Sequence, residues 1–326
     1  MENLKRLLSI IVIATLIGCF IYKIGYWVRP TDTDGAYIQV ETFHSLPENS
    51  IDVMVYGSSH AFRGLSTMEL YDKYGIGAYN YGWNWQACNT TNLFLKDSLV
   101  TQNPKVALIE TYRLGTVLQD WNMDAQIYYS RYVHNKEAVR SYIRQCFGDD
   151  RDRYIAYYMP ICAFHDNWNT LSPESFHNLE VGTMLRKTMG FAALDLLMEI
   201  EIPDCRNFEQ LDFSEIAIKE MTDMVETCHS RGIDVVFYTA PWQGEYNYSE
   251  AMKRFANDNG CEYYNLFELV DQVGLDGRTD FSDEEHLNIS GAEKVSDYLG
   301  QILIDHYDLK DMRLVDGNLW EEAKLL

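Results

Sequence analysis

Basic residues and proline are scarce in this chain of 326 residues. Its 27 lysines and arginines are set against 49 aspartates and glutamates, so the formal charge at pH 7 is −22. A surface of that charge is unsuited to neutralising nucleic-acid phosphates, and we therefore expect no nucleic-acid partner. With only 7 prolines and 20 glycines, and with no internal repeat or low-complexity run, the composition indicates a globular protein rather than a disordered or fibrous one.

Paired cysteine motifs are also absent. The seven cysteines form no CxxC pair and no metal-ligand spacing, and we expect neither a metal site nor a cofactor. A body of this size forms a core without disulfides. Two interpretations of the six cysteines beyond Cys19 stay open, namely disulfide pairing outside the cell and buried free thiols.

The one long uncharged apolar run lies at the N terminus, from Leu7 to Tyr22 (LLSIIVIATLIGCFIY). If Lys23 snorkels, the apolar stretch reaches the roughly 20 residues that cross a bilayer as a helix. Lys5 and Arg6 beside the amino terminus favour a cytoplasmic start. We predict a single-pass membrane anchor over residues 1–30 and an extracytoplasmic remainder. The charge of that remainder is −25, because residues 1–30 hold four basic side chains and one acidic.

Two other interpretations apply to this segment. Leu16-Ile17-Gly18-Cys19 resembles a bacterial lipobox, in which Cys19 would become the lipidated first residue. A cleaved secretory signal is less favoured, because no small residues are well placed after the apolar run. Anchor and lipoprotein alike leave the body tethered to the cell membrane.

Beyond a polar spacer at residues 31–49, apolar strand-like runs alternate with helical ones. The predicted strands are Ile51–Tyr56, Lys105–Glu110, Ile233–Thr239 and Glu262–Leu266, and the predicted helices lie after Ser66, at Thr90–Val100, Ser214–Arg231 and Ser249–Asn259, and after Ser290. Capping boxes are predicted at Ser66 with Glu69 and at Ser290 with Glu293. Such alternation predicts a three-layer α/β/α fold with a parallel sheet over residues 50–310, followed by a tail at 311–326.

The alternation lapses between residues 115 and 212. This stretch is rich in aromatic residues, with helical pieces predicted near Asn135–Phe147 and Pro173–Leu179. An insertion between strands of a parallel sheet commonly covers the carboxyl ends of the strands, where ligands bind. We expect a cap that determines specificity; a purely structural insertion is the alternative.

Two short motifs carry chemistry. Gly57-Ser58-Ser59-His60 follows the first strand and enters a helix, which places a serine at the carboxyl edge of the sheet. Asp283 and His286 lie three residues apart in the loop before the last helix, a spacing that lets the carboxylate orient the imidazole. A serine is a poor nucleophile without such a base. Each motif alone is weak, and their combination is informative.

Together these blocks resemble the SGNH/GDSL hydrolase superfamily over most of residues 51–305. The resemblance implies Ser59 as nucleophile, His286 as general base and acid, and Asp283 as the orienting carboxylate. It also implies an oxyanion hole built from Ser59 and Gly82. The family often has an asparagine after the third strand, where this chain has Thr111-Tyr112-Arg113-Leu114. Tyr112 or Arg113 would have to replace that donor, or the hole rests on two backbone N–H groups.

The motifs GSSH and DEEHLNISGAEK further resemble a membrane-anchored bacterial branch, similar to the D-alanyl transfer protein of teichoic acid alanylation. That resemblance implies an extracytoplasmic serine esterase or O-acyltransferase acting on a cell-envelope glycan or polymer, beside a multi-spanning membrane-bound O-acyltransferase. His60, and His165 with Trp168 in the insertion, become candidate substrate contacts. Two alternatives stay open: a non-catalytic partner that guides the acyl acceptor, and a secreted-type lipase or carbohydrate esterase.

Overall fold

The computed structural model describes residues 2–29, 34–117, 127, 130–176, 183–192, 194–244 and 246–326. Its first element is helix α1 (Glu2–Trp27), whose most apolar 18 residues have a mean hydropathy of 2.4 and are not buried by the rest of the chain. A helix of 26 residues is about 39 Å long, enough to cross a membrane. A signal sequence near an N terminus shares these properties.

The body is built on a parallel sheet of five strands. The strands are β1 (Val53–Tyr56), β2 (Ala78–Asn80), β3 (Val106–Glu110), β4 (Glu209–Gln210), β5 (Asp234–Thr239), β6 (Tyr246–Asn247) and β7 (Glu262–Asn265). The main sheet has the order β2–β1–β3–β5–β7 and all its pairs are parallel, while β4 and β6 pair separately. Val53 fixes the register at the centre, where it lies beside Ala78 and Val106.

Helices cover both faces of the sheet, which confirms the predicted α/β class. Beyond α1 they are α2 (Asp34–His44), α3 (Ser59–Gly64), α4 (Thr67–Tyr74), α5 (Cys88–Ser98), α6 (Lys136–Phe147), α7 (Arg151–Tyr158), α8 (Pro160–Phe164), α9 (Thr183–Lys187), α10 (Glu215–His229), α11 (Ser249–Asp258), α12 (Val270–Val273), α13 (Ile289–His306) and α14 (Leu319–Leu325). Successive strand residues point to opposite faces, so Met54 and Tyr56 join one core and Val53 and Val55 the other. Two apolar cores therefore sandwich the sheet.

Local helix signals are partly confirmed at α4 and corrected at α13. The Ser66 hydroxyl accepts the Glu69 N–H, and Gly75, at φ 71°, ends α4 as predicted. The return bond of the predicted capping box is absent, because the Ser66 N–H donates to Ser296 Oγ at 2.7 Å. At α13 the cap is Asn288, whose side chain accepts the Gly291 N–H. The predicted capping box at Ser290 is wrong, because the Ser290 hydroxyl donates instead to Asp280, at 2.8 Å.

The segments predicted as a spacer and a tail both contribute to the core. Within residues 31–49, of which 31–33 lie outside the described residues, α2 buries Ala36, Val40 and Phe43 completely. In the tail, Trp320 is fully buried and its Nε1 donates to the Ala78 carbonyl, at 3.0 Å. The expectation of a polar spacer is corrected, because apolar side chains on one face of α2 pack under the sheet.

The described parts of the insertion contact both the core and the loop that carries Asp283 and His286. Helix α6 packs on α5 and adds Tyr142 and Ile143 to one core, and the Met189 carbonyl accepts the Asn80 N–H at the edge of β2. Residues 194–200, in contrast, run along the loop that carries Asp283 and His286. Pro173–Phe176 is a 3-10 helix, and the remainder of the predicted helix, 177–179, lies outside the described residues.

All seven cysteines are free thiols. Cys88, Cys146, Cys205 and Cys228 are buried, Cys261 is half-buried, and Cys19 and Cys162 are exposed. Of the two interpretations left open by the sequence, the structure has the free thiols.

Candidate active site

The candidate site lies where the strand order reverses. After β1 the chain crosses to β2 on one side and then to β3 on the other, which opens a crevice at the carboxyl ends of β1 and β3. Ser59 follows β1 by three residues, and Tyr112 follows β3 by two. The topology therefore brings these two predicted site residues to one edge of the sheet.

The turn that presents Ser59 depends on glycine. Gly57 has φ +138°, and a Cβ there would lie 2.8 Å from Cβ of Glu110. Ser58 then caps α3 by accepting the His60 N–H, so that Ser59 is the first residue of the helix. The tight turn pushes the Ser59 side chain out at the carboxyl edge of the sheet.

Ser59, His286 and Asp283 form a continuous hydrogen-bonded chain. His286 Nε2 lies 2.8 Å from Ser59 Oγ, and His286 Nδ1 lies 2.9 and 3.0 Å from the two oxygens of Asp283. The carboxylate selects the tautomer with the proton on Nδ1, which leaves Nε2 to accept the serine proton. The arrangement is that of a nucleophile, a base and an orienting acid.

The loop itself holds Asp283 in place. Its Oδ1 accepts the backbone N–H groups of Glu285 and His286, each at 2.8 Å. Partial burial opposes ionisation of Asp283, but the hydrogen bonds from Glu285 and His286 outweigh it and hold the pKa below its usual range. Asp283 is therefore a carboxylate at neutral pH, as the predicted orienting role would require.

Behind Ser59 lies a buried acid, Glu110. Its Oε1 accepts the Tyr112 N–H at 2.8 Å, and its Oε2 accepts the Ser58 hydroxyl at 3.3 Å. Burial raises the pKa of Glu110 to about 8, although these hydrogen bonds act in the opposite direction. At neutral pH the side chain is mostly a neutral acid that ties the β3 turn to the Ser58–Ser59 turn.

The N–H and hydroxyl groups predicted to form the oxyanion hole differ in whether they are free to donate a hydrogen bond to a substrate. As the first residue of α3, Ser59 has a backbone N–H with no acceptor inside the helix. The Gly82 N–H donates to Asn80 Oδ1 at 3.1 Å, the Tyr112 N–H is bonded to Glu110, and the Tyr112 hydroxyl lies 3.3 Å from Glu285. Gly82 and Tyr112 would each have to exchange a partner to bind an oxyanion.

His60 forms one wall of the site. It is buried, its ring stacks on Tyr112 with centroids 3.9 Å apart, and the His286 ring lies 5.5 Å away. Both of its ring nitrogens lack a hydrogen-bond partner among the described residues. Burial, with smaller contributions from His286 and Arg113, lowers the pKa of His60 well below its usual range. The ring is therefore a neutral polar surface beside the nucleophile.

One group of described residues has the composition of a metal site. His60, Glu285 and His286 each offer a ligand atom, and these atoms lie within 4.8 Å of one another. Both nitrogens of His286 are already bonded, to Ser59 and to Asp283. Metal binding there would compete with the Ser59–His286 bond, so the cluster fits proton transfer better than metal binding.

The two predicted contacts in the insertion lie elsewhere. His165 and Trp168 belong to the 3-10 helix His165–Thr170, and both are exposed. In the part of the chain that the structure describes, no hydrogen bond or ring contact links them to Ser59, Asp283 or His286. The structure therefore groups His60, and not His165 or Trp168, with the catalytic candidates.

Two organising residues escaped the sequence analysis. Buried Asn80 donates to the carbonyls of Ala61 and Leu65, at 2.9 and 3.1 Å, and so ties α3 to the end of β2. Glu110 is the second. The available signal was a polar side chain ending an otherwise apolar strand, as in AYN and VALIE.

No family model and no curated protein matches the chain in sequence. Among solved structures it is similar to a Bacteroides fragilis protein described as a "putative acylhydrolase", with 9% identity and a TM-score of 0.41. The match covers 82% of this chain and 94% of that one. A likeness at this level carries no inference about the chemistry of the present chain.

Proposed function

We propose that this protein is a serine-dependent O-acyl esterase or O-acyltransferase of the SGNH type. The observation that carries the proposal is the 2.8 Å contact between His286 Nε2 and Ser59 Oγ, with Asp283 on the opposite ring nitrogen. Ser59 lies more than 220 residues before Asp283 and His286 in sequence, yet its hydroxyl contacts His286 at the carboxyl edge of the sheet, where the strand order reverses.

Acylation begins with transfer of the Ser59 proton to His286 Nε2 while Ser59 Oγ attacks the carbonyl carbon of the substrate ester. Asp283 stabilises the imidazolium that forms. The bond between the carbonyl carbon and the leaving oxygen then breaks, and His286 returns its proton to that oxygen. The products of this half-reaction are a free alcohol and an acyl ester on Ser59.

Deacylation runs the same steps with an acceptor hydroxyl or water. His286 takes the acceptor's proton, the acceptor oxygen attacks the acyl carbon, and the proton passes to Ser59 Oγ as the ester to the enzyme breaks. With water the result is hydrolysis; with a sugar or polyol hydroxyl it is transfer. The family's asparagine is absent after β3, and the loss of such a donor would cost about 3 kcal/mol of transition-state stabilisation. This loss suits acyl transfer or slow hydrolysis better than fast turnover.

The cellular setting is part of the proposal. Helix α1 supports a single-pass anchor in the cell membrane with the catalytic domain extracytoplasmic. The resemblance to the D-alanyl transfer branch suggests a cell-envelope glycan or polymer as substrate and a multi-spanning membrane O-acyltransferase as partner. Because residues 31–326 carry −25, a neutral or partly cationic acceptor is favoured over a strongly anionic one.

A fluorophosphonate probe tests the nucleophile. The full chain in membranes should form a covalent adduct, and Ser59→Ala should abolish it. Ser58→Ala keeps the contact between Ser59 and His286 but loses the cap of α3 and the bond to Glu110, so it should still form the adduct, at a reduced rate. Asp283→Asn should slow labelling by roughly 10³- to 10⁴-fold through the wrong histidine tautomer. Labelling that persists in Ser59→Ala would exclude Ser59 as the nucleophile.

A second candidate function is a non-catalytic partner that guides the acyl acceptor. It is favoured by one observation, that the Gly82 N–H is occupied by Asn80 instead of pointing free into an oxyanion hole. Under this alternative, Ser59→Ala would leave envelope acylation in cells unchanged. Under the catalytic proposal, the same variant lowers acylation together with probe labelling.

A further inference from the structure

The C-terminal end of α1 is joined to the insertion by close packing. A Cβ on Gly25 would lie 3.1 Å from the Ile161 backbone nitrogen, so glycine permits α1 to approach α8. Val28 and Phe164 form a small buried cluster, and the Trp27 and Phe176 rings lie 5.4 Å apart. The end of α1 is therefore part of the folded body.

Polar contacts fasten the same junction. Arg29 is 7% exposed, its guanidinium lies 3.9 Å from the centre of the Tyr26 ring, and its Nη1 donates to the Ser175 carbonyl at 3.2 Å. Asn167 Nδ2 donates to the Val28 carbonyl at 3.1 Å. A buried cation with these partners fixes the direction in which α1 leaves the body.

Around this junction the insertion exposes large apolar side chains. Helix α7 packs on α8, which packs on the 3-10 helix His165–Thr170, and α1 contacts both α8 and Pro173–Phe176. We call the exposed side chains on these elements the junction patch: Ile155, Tyr158, Met159, Trp168, Leu171 and Phe176. Trp168 is 69% exposed and Tyr158 60%. Single exposed apolar residues are ordinary, but a cluster beside a membrane-length helix is not.

The length of α1 sets the level of the junction patch. The 20 residues from Leu7 to Tyr26 rise about 30 Å, the thickness of the hydrocarbon core. Trp27 then lies at the membrane–water interface, and its contact with Phe176 places the junction patch at the same level. Tryptophan and tyrosine are the residues enriched at that depth.

We propose that the junction patch inserts into the interfacial layer of the bilayer that α1 crosses, and so holds the body against the membrane in one orientation. This inference rests on the proposed anchoring by α1. Attraction of charge does not supply the contact, because the body is strongly acidic and is repelled by anionic headgroups. Burial of apolar and aromatic side chains supplies it instead. Trp168 becomes a lipid contact rather than a substrate contact.

Bromolipid quenching of tryptophan fluorescence tests the proposal in the full chain. The protein is reconstituted in phosphatidylcholine vesicles with bromine on the acyl chain near the headgroup, and wild type is compared with three single variants. Trp168→Phe reports the junction patch, Trp27→Phe reports the anchor, and Trp85→Phe is the control at an exposed body position. Each variant removes about one seventh of the tryptophans. Substitution of the exposed Trp85 and Trp168 leaves stability nearly unchanged, and Trp27→Phe keeps an aromatic ring at the half-buried contact with Phe176.

We expect Trp27→Phe and Trp168→Phe each to lower the quenched share of the emission, and Trp85→Phe to raise it. A drop for Trp27→Phe with no drop for Trp168→Phe would overturn the junction patch and leave the anchor standing. No drop for either would overturn the anchor and the patch together. Protection of Trp168 from aqueous acrylamide without bromolipid quenching would show a protein on the patch, and would also overturn the lipid contact.

Discussion

Glu110 ends β3 with its carboxyl group enclosed between the Ser58 hydroxyl and the Tyr112 backbone N–H. The two groups belong to the turns after β1 and β3, so one side chain couples the turn that carries Ser59 to the opposite wall of the site. Its pKa is raised to about 8 by burial. A neutral acid at this position costs less to bury than a carboxylate would.

Stability of the protein should depend on the protonation of Glu110. The unfolded carboxyl ionises near 4.5 and the folded one near 8. Between these values the unfolded state releases a proton that the folded state keeps, so the free energy of unfolding falls as pH rises, by up to about 1.4 kcal/mol per pH unit. Glu110→Gln removes this term, and unfolding in detergent micelles should show a flatter pH dependence from 5 to 8.

The exposed acid Glu209 provides the control for that measurement. Glu209→Gln should follow the wild-type pH dependence. A Glu110→Gln variant that loses stability with pH as steeply as wild type would contradict a neutral Glu110. Because glutamine keeps the shape and the acceptor oxygen, fluorophosphonate labelling at pH 7 should stay within a few-fold of wild type.

Site residues whose role follows from neighbouring residues in sequence could be predicted. Site residues whose contacts join distant parts of the sequence could not. Asp283 and His286 are three positions apart, so their contact follows from one turn, and Ser59 stands out because it follows a strand and enters a helix. Glu110 also contacts Ser58, 52 residues away in sequence, and Asn80 contacts Ala61 and Leu65, which are 19 and 15 residues away. Those contacts exist only once the strands are in register, which no periodicity within one segment reveals.

At the level of the element, the turn between β1 and α3 is the most constrained piece of the site. Gly57→Ala would combine a positive φ with a Cβ placed 2.8 Å from Glu110 Cβ. We expect a stability loss of about 1–3 kcal/mol and probe labelling reduced by at least about tenfold, because Ser59 is displaced from His286. Unfolding curves and labelling rates of the variant measure the two effects.

Gly232→Ala separates backbone strain from crowding. Gly232 has φ +72°, but a Cβ there meets nothing within 4 Å. This variant should lose about 1 kcal/mol and keep the wild-type labelling rate. If Gly57→Ala were no more harmful than Gly232→Ala, the close approach to Glu110 would not be what sets the geometry of the nucleophile turn.

Most strands of the main sheet, and the helices that pack on it, were predicted because their apolar residues are continuous or periodic in sequence. Helix α2 was not, since Gln39, Glu41 and Thr42 interrupt its apolar residues, and Gln39 and Thr42 are themselves buried. The tail was missed for a similar reason, because its buried side chains are few, namely Asn318, Trp320 and Ala323. A weakly amphipathic segment can be recognised as part of the core only when the surface on which it packs is known.

At the scale of the whole molecule, the junction between α1 and the body should also stabilise the insertion against local unfolding. Arg29→Ala would remove a buried cation and its bond to the Ser175 carbonyl. A hydrogen bond to a charged group contributes about 1.5–3 kcal/mol, and each 1.4 kcal/mol multiplies the locally open population by about ten. We expect chymotrypsin to cleave within residues 154–176 at least about ten times faster.

Arg6→Ala is the matched control, because Arg6 is exposed on α1 and, among the residues that the structure describes, pairs only with Glu2 on the same helix. Its cleavage rate should equal that of the wild type. Equal rates for Arg29→Ala and wild type would show that the junction does not stabilise the insertion.

The glycine at position 25 has a consequence for encounters with substrate. Because α1 and α8 are closely packed, the connection between them is rigid and does not act as a hinge. For a chain anchored through α1, the crevice at Ser59 is then held at a fixed distance from the bilayer surface. It also opens in a fixed direction relative to the axis of α1. Encounters become a search in two dimensions, limited to donors and acceptors presented at that height. Inserting flexible residues at the joint would widen this search and lose the selection by height.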